Sequence, residues 1–187
     1  GKTTLLGLLA GMIAPTAGEV HLDGRSITHL RDHHRALVRR DLVGMVFQES
    51  ALIAGMSLEE NVFLPCVPKG GPSESERQRA RALLEHFGLT GFARTRVERL
   101  SAGEQQRGAL IRALVADAPI LMLDEPTAAL DIGNVRLLLE VLLELRGEGR
   151  TLLATTHDRR LAEDPRVDGV LRLEDGELIG QQSQGER

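Results

Sequence analysis

The sequence predicts an α/β fold with a mostly parallel sheet. Short apolar runs alternate with longer helical segments through the second half of the chain, the pattern of strand–helix–strand crossovers. The chain has 187 residues, which suits one domain or one domain with a small lobe. Hydrophobic residues make up 42% and charged residues 27%, which excludes a chain disordered throughout.

In order, Thr3 to Ile13 is rich in Leu and Ala and reads as a helix, followed by a turn at Pro15-Thr16-Ala17-Gly18. Glu19 to Leu22 alternates as a short strand and stops at Asp23-Gly24. His29 to Arg40 reads as a polar helix. Val43 to Phe47 is a buried strand ending at Gln48. Ser57-x-x-Glu60 forms a capping box for a short helix that stops near Pro65. Lys69-Gly70-Gly71-Pro72 is a loop. Ser73-x-x-Glu76 caps the next helix, with Ala80, Leu83, Leu84 and Phe87 on one face and Gly88 at its end. Ser101 to Ala116 is a further helix. Ile120 to Leu123 is a strand, and Asp131 opens a long helix with Val135, Leu138, Leu139, Leu142 and Leu145 inward. Thr151 to Thr155 is a strand, Asp158 to Glu163 a short helix, and Gly169 to Leu173 a strand. Glu174-Asp175-Gly176 turns into a last strand, Glu177 to Ile179, with a loose polar tail after Gly180. The segment from about 58 to 100 interrupts the alternation as a helical insertion.

The net charge is −4 and the isoelectric point 5.9, so no basic excess exists for a nucleic-acid backbone, and DNA or RNA binding is disfavoured. The single Cys66 cannot close an internal disulfide, and no pattern suggests structural zinc; a reducing compartment fits. The longest apolar stretch, Leu5 to Pro15, falls short of the ~20 residues of a membrane-spanning helix. No signal peptide is visible. The sequence begins at Gly1 in the middle of a motif, so its natural N-terminus is expected to be missing.

That motif is Gly1-Lys2-Thr3-Thr4, running into a helix. It matches the second half of the phosphate-binding pattern G-x-x-x-x-G-K-[ST], in which helix-terminal amides and a lysine hold phosphates and a hydroxyl, here Thr3, ligates Mg²⁺. By itself the match is weak, and a capped helix with an exposed lysine is the favoured reading. Asp124-Glu125 ends an apolar strand; Asp124 suits Mg²⁺ and Glu125 suits an attacking water, or both form a solvated acidic turn. Leu100-Ser101-Ala102-Gly103-Glu104 opens a helix, either as a plain capping box or as an anion site. His157 ends another strand, where it is structural or donates to a γ-phosphate. Gln48 is placed to touch Mg²⁺ or the attacking water.

The order of these weak signals is what discriminates. It resembles that of an ATP-binding cassette (ABC) ATPase over essentially the whole chain. Gly1 to Thr4 resembles the end of Walker A, Gln48 the Q-loop, and Leu100 to Gln105 the signature motif. Leu121 to Glu125 resembles Walker B with its catalytic glutamate, Ala129-Leu130-Asp131 the D-loop, and His157 the switch histidine. The resemblance implies a P-loop NTPase-type sheet flanked by helices, in a single domain 1–187 with a helical subdomain at about 58–118. It implies Glu125, His157 and Gln48 as catalytic, and Gly1, Lys2, Thr3, Thr4, Ser101, Gly103 and Asp131 as nucleotide-binding. Thr3, Gln48 and Asp124 are implied as Mg²⁺ ligands. It further implies ATP, a head-to-tail homodimer in which Ser101 and Gly103 reach the partner's γ-phosphate, and a separate transmembrane permease at the cytoplasmic face of the plasma membrane.

The signature reads Leu-Ser-Ala-Gly-Glu where the common form is Leu-Ser-Gly-Gly-Gln, and both changes are expected to be tolerated. Part of the phosphate loop, the preceding strand and an adenine-stacking aromatic are missing, since the chain has no Tyr or Trp. This stretch alone is therefore expected to bind ATP poorly. Val43 to Gln48, Ser57 to Val62 and Thr156 to Arg160 resemble the subgroup serving lipoprotein release, macrolide-type export and cell-division complexes. An alternative is a regulatory or mechanical ATPase whose membrane partner moves no solute. A DNA-repair cassette is disfavoured, because no heptad run separates Lys2 from Asp124. His33-His34 reads as surface, and Cys66 as a small apolar filler.

Overall fold

The computed structural model describes residues 1–183. Its centre is a three-stranded parallel sheet of order β3-β4-β5, formed by Val43–Val46, Ile120–Asp124 and Thr151–Thr155. Val43 pairs with Ile120 and Val46 with Leu123; Ile120 pairs with Thr151 and Asp124 with Thr155. All three strands therefore end at one edge.

Both faces of this sheet are covered, as a parallel sheet requires. On one face Val43 and Met122 pack with Leu6 of α1 (Lys2–Leu9), Ala10 at its C-terminal cap, Leu22 of β1 (His21–Leu22) and Ile27. Val38 and Leu42 of α2 (Asp32–Leu42) close that side. On the other face Val46 and Leu123 meet Leu110 and Ala113 of α5 (Ala102–Val115) and Val135, Leu138 and Leu142 of α6 (Ile132–Gly147). Between β3 and β4 run α3 (Leu58–Val62), a 3₁₀ segment (Leu64–Lys69), α4 (Glu74–His86) and α5. Leu58, Val62, Leu84, Phe87, Ile111 and Leu114 bury against one another there.

All three capping boxes form, at Ser57/Glu60, Ser73/Glu76 and Ser101/Glu104. Each serine accepts from the amide three residues on, and each glutamate accepts from the serine amide at 2.7 Å. Asp131 and Asp158 cap α6 and α7 (Arg159–Ala162).

Several boundaries differ from expectation. The first helix stops at Leu9, not Ile13. Gly11 adopts φ +66°, so its amide reaches the Leu8 carbonyl and the Met12 amide reaches the Gly7 carbonyl, a Schellman closure. The polar helix starts at Asp32 and continues to Leu42, and the following strand ends at Val46 rather than Phe47. The strand expected from Glu19 shortens to His21–Leu22 and pairs with β2 (Arg25–Ser26) across Asp23-Gly24, both with positive φ.

The strand expected at 169–173 lies outside the parallel sheet. It is β6 (Gly169–Glu174), which pairs antiparallel with β7 (Glu177–Ser183). So β7 extends past Gly180, where a loose tail was expected; residues 184–187 of that tail lie outside the described residues. Between β5 and the hairpin lies an apolar cavity of about 330 Å³, lined by Leu5, Leu9, Leu153, Leu171 and Leu173 among others. Among the described residues, the outer edge of β5 has no strand partner.

Close approach of α5 to the sheet requires Gly44. A Cβ there would stand 2.6 Å from the Ala113 carbonyl oxygen and 2.6 Å from Leu121 Cδ2. Gly44→Ala should lower urea-unfolding stability by about 1–3 kcal/mol through overpacking; an unchanged midpoint would show that α5 yields freely.

The capping glutamates carry a pH signature. Hydrogen bonds from Ser57, Ser73 and Ser101 hold the carboxyls of Glu60, Glu76 and Glu104 below their ordinary pKa of 4.5. A depressed folded-state pKa contributes stability that is present above the unfolded value and lost as pH falls through the folded one. The triple variant Glu60→Gln, Glu76→Gln, Glu104→Gln should be less stable than wild type in urea at neutral pH, and the gap should narrow as pH falls below the ordinary carboxyl value of 4.5 and through the depressed folded-state values. A pH-independent gap would assign the effect to packing.

Candidate functional site

The common carboxyl edge of β3, β4 and β5 gathers the polar residues, as open parallel sheets do. Asp124, the last residue of β4, is 2% exposed and accepts a hydrogen bond from the Thr155 hydroxyl opposite it. The next residue, Glu125, has φ +47°, a conformation costly for a non-glycine residue. It is held there by its amide, which donates to the Thr155 carbonyl at 3.1 Å and to the Thr155 hydroxyl at 3.2 Å. The bend sends the Glu125 side chain back across the sheet edge. There Oε2 accepts from the His157 amide at 3.0 Å. Oε1 is buried and has no hydrogen-bond partner.

Lys2, in the first turn of α1, completes the cluster. Its Nζ lies 2.7 Å from His157 Nε2 and 3.8 Å from Glu125 Oε1. The same Nζ lies 3.3 Å from His157 Nδ1; an ammonium has no lone pair, so the lysine donates and the imidazole accepts. Gly1 is the N-cap of α1 without a side-chain cap. The first amides of α1 therefore face outward unpaired, beside Lys2 and the exposed hydroxyls of Thr3 and Thr4. Free amides, a dipole end and a lysine suit a polyanion.

Four of the expected residues thus meet: Lys2, Asp124, Glu125 and His157. Gln48 is exposed two residues beyond β3 at the same edge. Ser101, Gly103 and Asp131 make no hydrogen bond to this cluster among the described residues. They form a second locus. A Cβ on Gly103 would stand 3.2 Å from the Ala129 carbonyl oxygen, so the head of α5 abuts the segment Ala129-Leu130-Asp131. Asp131 accepts from the Asn134 amide at 2.8 Å, which holds its carboxyl below the ordinary range. Ser101 donates to Glu104 at 2.8 Å.

The donors near the cluster are hard oxygens: the Asp124 carboxylate, the Thr3 hydroxyl and the Gln48 amide. No group of three or more His, Cys, Asp or Glu side chains suited to a metal occurs among the described residues. That chemistry fits Mg²⁺, which takes one or two carboxylates and completes its shell with water and substrate phosphates. Glu125 Oε1, buried and without a hydrogen bond beside Lys2 and His157, fits an additional polar occupant.

Residues 1–128 match the ABC transporter family. The chain belongs to that family. It is an ABC ATPase domain. It is 38% identical over 185 residues to a macrolide export ATP-binding/permease protein of Paracoccus denitrificans, covering 99% of this chain and 27% of that one. It is 36% identical over 187 residues to a pyoverdine export ATP-binding/permease protein of Pseudomonas aeruginosa, covering 100% and 28%. The ABC cassette thus spans about a quarter of the length of these relatives. Among solved structures, a dimeric ATP-binding cassette in a post-hydrolysis state with ADP and Pi superposes with TM-score 0.92 at 34% identity, over 100% of this chain and 82% of that one.

The sequence reading missed Thr155. The signal available was a β-branched hydroxyl residue at the end of a strand next to the one ending in Asp124. Without the register, nothing singled it out. Thr155→Val keeps the shape and deletes the donor to Asp124 and one of the two acceptors for the Glu125 amide, leaving the carbonyl. It should cost about 1–3 kcal/mol of folding stability and lower ATP hydrolysis by the cassette. Wild-type hydrolysis from the valine variant would release Thr155 from this role.

Proposed function

We propose that this cassette hydrolyses MgATP between two copies of itself and uses the closing and opening of that pair to drive a transmembrane permease. The observation that carries this is the convergence of Lys2, Glu125 and His157 on one sheet edge beside the buried Asp124. In this reading Lys2 and the α1 amides from Gly1 to Thr4 bind the phosphates. Thr3, Asp124 and Gln48 hold Mg²⁺, which, when bound, neutralises charge on the phosphate oxygens. Glu125 takes a proton from the attacking water, and Gln48 orients that water. His157 hydrogen-bonds the γ-phosphate.

Lys2 sits against Glu125 and His157. A bound γ-phosphate competes for Lys2 and frees Glu125 and His157 to face the water and the phosphate. Ser101, Gly103 and Asp131 act from the second copy; the dimeric state of the solved relative supports this. Residues 1–187 act as one cassette, with 58–118 as its inserted helical subdomain.

The names of the relatives couple ATP binding to a permease and to export. No helix among the described residues is long and apolar enough to cross a membrane. In this reading the membrane spans belong to the permease, and the cassette works on the cytoplasmic side of that membrane.

Glu125→Gln removes the base and keeps the shape. With the phosphate loop completed at the N-terminal side of Gly1, it should lower hydrolysis at least ~100-fold while ATP still binds. Light scattering with MgATP should then report two associated cassettes where the nucleotide-free sample reports one. Unchanged hydrolysis would remove Glu125 from this role, and binding without association would remove the second copy.

A further inference from the structure

We propose that Arg112 is a positioning residue that ties the Gln48 loop to α5, so that the loop and the Ser101 end of that helix move as one body. Arg112 lies in the last turn of α5 and is half-buried. Its Nη1 donates to the Ala51 carbonyl at 2.7 Å and its Nη2 to the Ser50 carbonyl at 3.1 Å. No carboxylate pairs with it among the described residues. Partial burial of a guanidinium served only by carbonyl dipoles is unfavourable unless those dipoles are held in place, and burial draws Arg112 below its ordinary pKa.

The loop is shaped to meet it. Ala51 adopts φ +47°, a left-handed conformation disfavoured for alanine, while its carbonyl and that of Ser50 both reach the fork. A second tie lies nearer the head of the helix: the Ser50 hydroxyl donates to Gln105 Oε1 at 3.4 Å. Gln105 Nε2 in turn donates to the carbonyls of Val97 and Leu100, each at 3.0 Å. Residues 50 and 51 are thus fastened near both ends of α5. Gln48 is two residues before the first of these anchors, and Ser101 caps the helix that carries them.

This inference rests on the reading of Gln48 given above, and the test separates the two. In the ATP-hydrolysing protein, Arg112→Gln should lower kcat about ten-fold with KM changed less than about two-fold. In a Gln48→Ala background the same substitution should cost almost nothing, because coupled residues are non-additive. Arg112→Lys, which keeps the charge but cannot fork, should recover part of the loss. Independent, multiplicative losses would overturn the tie. If Gln48→Ala alone leaves hydrolysis unchanged, the reading of Gln48 fails instead, and the tie is then judged by mobility alone. For that second readout a spin label is attached through Glu49→Cys in the nucleotide-free protein. Cys66 does not compete, being buried with its thiol pushed up to about 11. Arg112→Gln should sharpen the label's spectrum while the thermal midpoint stays near that of wild type. An unchanged spectrum overturns the proposal.

Discussion

The chemistry of this cassette hangs on the register between β4 and β5. Pairing Asp124 with Thr155 sets one hydroxyl against one carboxylate at the last rung of the ladder. The same threonine then receives the Glu125 amide on both its oxygens and holds that residue in a left-handed bend. A slip of one residue would put a side chain of the opposite face at that rung. Asp124 would lose its donor, Glu125 would lose the reason for its bend, and His157 would leave the carboxylate. The register is in turn fixed by burial on both faces, since Leu123 and Met122 point to opposite cores.

The second constraint is the seating of α5. This helix touches β3 through Gly44 and α3 through Gly108, where a Cβ would stand 2.5 Å from Leu58 Cδ1. It therefore belongs mechanically to the sheet and to the inserted helices alike. Just past its C-terminal end, Asp117 pairs with Arg79 of α4 and with Arg150 in the turn before β5. A helix seated so closely transmits displacement instead of absorbing it, because close-packed interiors deform little.

Much of this was legible in the sequence because it is local. A serine and a glutamate three apart specify a helix start without help from the rest of the chain, and Ser57, Ser73, Ser101 and Asp131 all cap where expected. The candidate site was legible through order along the chain, which no single motif supplied. What stayed hidden is non-local or conformational. Thr3 to Ile13 reads as one helix from its Leu and Ala content, yet Gly11 in the left-handed region turned its own amide and that of Met12 back onto the carbonyls of Leu8 and Gly7. Gly169 to Glu174 has the apolar content of a sheet strand, but hairpin pairing across Asp175-Gly176 took it into its own ribbon. Thr155 is a threonine among five strand residues until its neighbour is known. Arg112 looked like any helical arginine because its partners are main-chain carbonyls, which no side-chain pattern announces.

The two helix N-termini of the site are loaded differently, and the difference bears on how a closed pair forms. The head of α1 has no side-chain cap and is open to an anion. The head of α5 already carries one: Glu104 takes both the amide and the hydroxyl of Ser101, and this bonding depresses its own pKa. A γ-phosphate approaching Ser101 from a second copy would meet a filled cap bearing negative charge, while the amides of Ala102 and Gly103 remain the orphans of the first turn. For Ser101 to donate to that phosphate, its hydroxyl must leave Glu104, whereas a neutral glutamine at that position would present no charge to the incoming anion. Ala102 and Gly103 ask for no such exchange, since their amides are unspent. In the proposed pairing, the backbone of this helix, more than its serine hydroxyl, would receive a phosphate on first contact, and the release of Ser101 from Glu104 would belong to the closing step that follows.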